Sequence, residues 1–146
     1  MTRDGAQTWV ATMWKPGASA HVIGLLATDH KLSSASGINA KGQVVGASGP
    51  DEEHAEAFIW SEAEGMRGPG FLADAAPRSH GTAINASGQV AGSSSTHRPS
   101  LTHAVLWDQA GAITDLGALS DRPNRFRSGA YALDDAGRVV GVSMTN

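Results

Sequence analysis

Apolar and polar positions alternate along this chain in short bursts, and the bursts return in a fixed order. Ile38-Asn39-Ala40-Lys41-Gly42-Gln43-Val44-Val45-Gly46 comes back as Ile84-Asn85-Ala86-Ser87-Gly88-Gln89-Val90-Ala91-Gly92. It comes back again as Leu133-Asp134-Asp135-Ala136-Gly137-Arg138-Val139-Val140-Gly141. Each copy reads as strand, turn, strand. Asn or Asp opens the turn, where its side chain accepts from the backbone ahead, and Gly closes it, where the backbone needs positive φ. All three copies keep both ends: Asn39 with Gly42, Asn85 with Gly88, Asp134 with Gly137. A third strand is predicted at Glu56-Ala57-Phe58-Ile59-Trp60 and at His103-Ala104-Val105-Leu106-Trp107, whose near-continuous apolar character calls for burial on both faces. After a Gly-containing turn, Ile113 to Leu119 reads as a fourth strand.

The period is kept by independent markers. Trp14, Trp60 and Trp107 lie 46 and 47 residues apart, as do Gly24, Gly70 and Gly117, and Leu26, Leu72 and Leu119. Four short antiparallel strands per period predict an all-β chain, a β-propeller of four-stranded blades. Helical arrays are excluded, because glycine interrupts every segment before apolar residues recur at helical spacing. The whole of 1–146 is one such domain: a half blade at 8–26, blades at 33–72 and 79–119, and a half blade at 128–143. Three blades' worth cannot close a ring, since propellers run from about four to eight blades. Two completions are open: a two-fold homodimer of six blades, in which each chain finishes the split blade of the other, or further blades in a longer array. Unmated halves would leave strand edges bare.

At these residues the sequence resembles the HAF repeat family. The family phrase I-N-x-x-G-Q-V-V-G is matched at Ile38 to Gly46, with one change at Ile84 to Gly92, and loosely at Leu133 to Gly141. Its H-A-F-x-W appears as Glu56 to Trp60 and His103 to Trp107 and, eroded, as Val10 to Trp14; D-L-G-x-L stands at Asp115 to Leu119. The resemblance implies a propeller-like fold and an extracellular setting, and brings no catalytic residues with it. The first nine residues lack the apolar run of a signal peptide, so the compartment stays open.

Composition narrows the chemistry. Eighteen glycines against four Trp, three Phe and one Tyr in 146 residues suit many tight turns. The absence of Cys excludes disulfides and thiolate chemistry. A formal charge of −3 gives no general attraction to nucleic acid or an anionic membrane, and no stretch approaches the roughly 20 apolar residues of a membrane span.

Candidate sites follow from mapping the period onto a ring. Loops after the fourth strand and after the second strand leave on one face, which collects His30, His54, His80, His97 and His103 together with Arg78 and Arg127. Function in such scaffolds sits on loops, so a glycan-like or small polar ligand is expected there or at the channel mouth. Equivalent positions differ, Ser34 against His80 against Gly129, which argues against three identical sites. Trp14, Trp60 and Trp107 are expected to anchor blade to blade rather than stack on a ligand, and Trp9, outside the period, is an exposed or interface candidate. Arg122, Arg125 and Arg127 with Phe126 form the single basic cluster, an anion or glycan grip if it is more than a loop. No His-x-His or His-x-x-x-His spacing suggests a metal, no Gly-x-Ser-x-Gly elbow suggests a nucleophile, and no cofactor fingerprint occurs. Asp51-Glu52-Glu53 reads as a solvated loop tip, and Asp134-Asp135 as a turn opener. A non-catalytic binding or scaffold protein is the leading expectation. The alternative is a hydrolase or lyase acting at the channel mouth.

Overall fold

A computed structural model describes residues 8–72, 78–96, 101–119 and 127–145. These residues form twelve strands in four antiparallel sheets, with no helix among them. The first sheet pairs β1 (Ala11–Met13) with β2 (His21–Gly24). The second holds β3 (Leu32–Ile38), β4 (Val44–Gly49), β5 (Glu56–Ser61) and β6 (Gly65–Arg67) in chain order. The third does the same with β7 (Ser79–Ile84), β8 (Val90–Ser95), β9 (Thr102–Trp107) and β10 (Ile113–Gly117). The fourth pairs β11 (Ser128–Leu133) with β12 (Val139–Ser143). Among the described residues the sheets do not close into a barrel or ring.

Local chemistry sets the hairpins. Asn39 Oδ1 accepts from the main-chain N–H of Lys41 and Gln43 at 3.1 and 3.0 Å, and Gly42 takes a φ of +76° to close the turn. Asn85 and Asp134 hold Gln89 and Arg138 in the same way, with Gly88 and Gly137 also at positive φ. One step further on, Gly46, Gly92 and Gly141 bring β4, β8 and β12 so close to β3, β7 and β11 that a Cβ would overlap the carbonyl oxygens of Ser34, His80 and Gly129. Only glycine fits there. The partner strands bulge at matching places, after Ala35, Gly81 and Ala130.

Sheets pack face to face in succession. Ala11, Val44, Phe58 and Trp60 fill the junction between the first and second. Val45, Ala57, Ile59, Ile84, Val90, Val105 and Trp107 fill that between the second and third, and Ala91, Ala104 and Ala130 that between the third and fourth. Strands β5 and β9 are therefore covered on both sides, which is why their sequences are apolar without alternation.

Serines fasten each junction twice. The N–H groups of Ala11, Ala57 and Ala104 donate to Ser33, Ser79 and Ser128 Oγ at 2.8, 2.9 and 2.8 Å. Those of Leu26, Leu72 and Leu119 donate to Ser48, Ser94 and Ser143 Oγ at 3.1, 2.9 and 2.7 Å. The three buried ones, to Ser33, Ser79 and Ser128, contribute about 1 kcal/mol each.

Trp60 and Trp107 are buried anchors, but Trp14 is 74% exposed. Among the described residues its strand, β1, pairs with β2 alone, so no strand supports the indole in the way that β4 and β8 support Trp60 and Trp107.

Candidate functional site

The start of β7 and the approach to β11 open onto a polar cleft of about 350 Å³. That volume lies within the range of small-ligand sites. Arg78, Ser79 and His80 enter at the start of β7, and Glu52 and Ala55 come from the β4–β5 connection. Ser93 and Ser95 line it from β8, Thr102 from β9, and Arg127 from the approach to β11. The cleft continues at both ends. Through Glu52, Ala55, Arg78 and His80 it joins a hollow containing Trp9, Leu32 and Ser34. Through Ser93, Thr102 and Arg127 it joins another containing Gly129, Tyr131 and Met144. Trp9 is 81% exposed and Tyr131 63%, so an uncovered aromatic stands in the hollow at either end of a polar trough.

The backbone that presents these groups is held firmly. Ser33 N donates to Trp9 O at 2.9 Å, Ser79 N to Ala55 O at 3.0 Å, and Ser95 N to Arg78 O at 2.7 Å. Electrostatically the trough sets two guanidinium groups against one carboxylate. His80 lies within it, its Nε2 3.2 Å from Ser36 Oγ. Burial first, and the Arg78 charge second, push the imidazole below its ordinary value of 6.5, so it is neutral at pH 7.

The expected histidines are dispersed. Of those described, His80 alone lines the cleft. His30 is buried, with Nδ1 2.9 Å from Ser48 Oγ, the same oxygen that receives Leu26 N–H. His54 stands on an exposed loop with Nδ1 2.7 Å from Asp51 Oδ1. That side-chain bond is the main reason the Asp51 carboxyl titrates below its ordinary value. His103 is buried, Nδ1 3.0 Å from each Asp115 oxygen, and its Nε2 has no partner among the described residues. His97, and the loop residues Arg122, Arg125 and Phe126, lie outside the described residues. Arg78 and Arg127 do come together with His80.

Chemically the trough offers two guanidinium groups, one carboxylate, an imidazole and serine and threonine hydroxyls. Among the described residues no three His, Asp or Glu side chains converge as a metal site would require. The His103–Asp115 pair has the form of an oriented base, but its free nitrogen is buried away from the cleft. Ser79, inside the cleft, already receives Ala57 N–H.

Sequence reasoning missed Glu52, Ser93, Thr102 and Tyr131 as lining residues, and read Trp9 as exposed or at an interface without placing it beside the trough. A usable signal was present. Tyr131 occupies the position held by Ser36 and Thr82, and His80 the position held by Ser34 and Gly129, so the trough is built where the copies differ. No protein-family model, no curated protein and no solved structure matches this chain.

Proposed function

We propose that this protein is a non-catalytic binding scaffold whose trough holds a glycan-like ligand. The observation that carries this reading is the pairing of exposed Trp9 and Tyr131 at the ends of a trough lined by Glu52, Arg78, Thr102 and Arg127. Sugars offer apolar ring faces to aromatic platforms and hydroxyls to carboxylate and guanidinium groups, and both kinds of partner are present. An extended ligand suits three connected hollows better than a compact one.

We read the scaffold as half of a β-propeller related to HAF repeats, completed by a second copy into a six-bladed homodimer. The order of strands within the sheets, the bare edges of β1 and β12, and the exposed apolar residues along them support this. Two troughs on one assembly would raise avidity for a polymer.

Calorimetric titration with neutral and acidic oligosaccharides tests the function. Binding that falls at least about tenfold in Trp9→Ala, by the scale of ring stacking lost, is the expected result. Binding indifferent to Trp9→Ala and to Arg78→Ala would overturn it, and turnover of a bound oligosaccharide would replace it with the hydrolase or lyase reading.

A further inference from the structure

The junctions between sheets carry a third fastening, and it is incomplete in one place. Asn39 Nδ2 donates to Asn85 O at 3.0 Å, and Asn85 Nδ2 to Asp134 O at 3.0 Å, so the turn of one sheet is tied to the turn of the next. Each amide also donates to the Gln four residues on, Gln43 or Gln89, at 2.8 Å. Those glutamines lie over the turn glycine of the next sheet, Gln43 over Gly88 and Gln89 over Gly137. In the fourth sheet the pair is reversed. The Asp134 side chain has no N–H to give, and Arg138, at the glutamine position, donates its Nε–H to Asp134 Oδ2 at 2.6 Å. A guanidinium has five N–H groups, so donors remain.

The acceptor that such donors require is also identifiable. The carbonyls of Asn85 and Asp134 each take two donors, the closing glycine of their own turn and the amide of the preceding sheet. Asn39 O takes one, from Gly42 N, and nothing among the described residues covers Gly42. Both ends of a bond are thus present among the described residues, which do not make it with one another.

We propose that Arg138 donates to the Asn39 main-chain carbonyl of a second copy of this chain, and that this contact fixes which strands meet. The proposal rests on the two-fold assembly above and specifies its register. Within the molecule Val44 lies opposite Trp60 and Val45 opposite Ile59, and Val90 opposite Trp107 and Ala91 opposite Leu106. The same register sets Val139 opposite Trp14, and Val140 opposite Met13, across the two copies. It covers Val140 and Trp14, which are 64% and 74% exposed. The second copy is the occupant because one chain carries both halves: first and second strands in β11–β12, third and fourth in β1–β2. The turn-to-turn fastening already operates at two internal junctions, from Asn39 to Asn85 and from Asn85 to Asp134.

The chain has no Cys, so paired cysteines report register cleanly. Directly opposed residues on antiparallel strands fall within the Cα separation a disulfide tolerates. Met13→Cys with Val140→Cys is expected to oxidise to a covalent dimer, while Met13→Cys with Val142→Cys, slipped by two residues, is not. Arg138→Ala is expected to weaken association by about tenfold at each seam, as loss of a charge-assisted bond does. Asp134→Asn with Arg138→Gln, which rebuilds the internal pattern, is expected to restore it. A dimer that cross-links in the slipped pair, or that ignores Arg138→Ala, overturns this inference and leaves the dimer standing. A chain that remains monomeric in light scattering at high concentration overturns both.

Discussion

Strands β4 and β12 share four residues of five, Val-Val-Gly-Ala-Ser against Val-Val-Gly-Val-Ser, yet their surroundings are opposite. Val45 is wholly buried and Val140 is 64% exposed. In β4 every residue is buried, and in β12 none is. The difference does not come from propensity or pattern, which are the same. It comes from neighbours: β4 lies between β3 and β5 and against the flanking sheets, whereas among the described residues β12 has β11 alone beside it. Burial here belongs to the junction between sheets, and a strand sequence acquires its apolar stabilisation only when the next sheet is present.

That comparison is broken most severely by filling the close approach of paired strands. Gly92→Ala, in the third sheet, forces its methyl into the His80 carbonyl and Trp107 ring, and a loss on the order of 3 kcal/mol or more is expected. Gly141→Ala drives its methyl into the Gly129 carbonyl just as closely but meets no side chain, so a somewhat smaller loss is expected; urea unfolding of the two variants measures the ratio. Next, Trp107→Ala removes a fully buried indole, at about 4 kcal/mol, while Trp14→Ala in dilute protein stays within about 0.5 kcal/mol of the parent. Equal losses for the two tryptophans would show that β1 is as well covered as β9.

Smaller effects sharpen the contrast. Ser94→Ala leaves the Leu72 N–H without its partner in a half-buried setting and should cost about 1 kcal/mol. Ser143→Ala strands Leu119 N–H where water reaches it, and a few tenths of a kcal/mol is the expected loss by thermal unfolding. The smallest change is in pH dependence. Because burial and Arg78 hold the folded-state pKa of His80 below 6.5, the unfolded chain takes up that proton first as pH falls. Its contribution is therefore fully favourable above 6.5 and declines below it, down to the folded-state value. His80→Gln should flatten the stability profile between pH 7.5 and 5.5, and an unaltered slope would place the titration on another group.

What the sequence disclosed was the chemistry that acts over a few residues. Asn39 with Gly42 names its hairpin because an Asx acceptor and a positive φ are both required within four positions, and the apolar run at Phe58 to Trp60 names a strand covered on two sides. The exposure of Trp14 was not legible, since it depends on a strand that is not beside it. Nor was the retreat of His30 and His103 from the loop face. Their partners, Ser48 and Asp115, are 18 and 12 residues away and are brought near only by strand pairing. Trp9 and Tyr131 were hidden for a further reason: a period draws the eye to what recurs, and the trough is made of what does not.

The serine fastenings have a longer consequence. Each joins a main-chain N–H to a small hydroxyl, as Ala57 to Ser79 or Leu72 to Ser94, so neither partner depends on the particular side chains that surround it. A duplicated gene segment of one period would arrive already carrying both halves of the fastening, compatible with whichever unit preceded it. Copy number in such a lineage is thus free to drift by whole units without fresh adaptation of the join, while the divergent positions accumulate specificity one unit at a time.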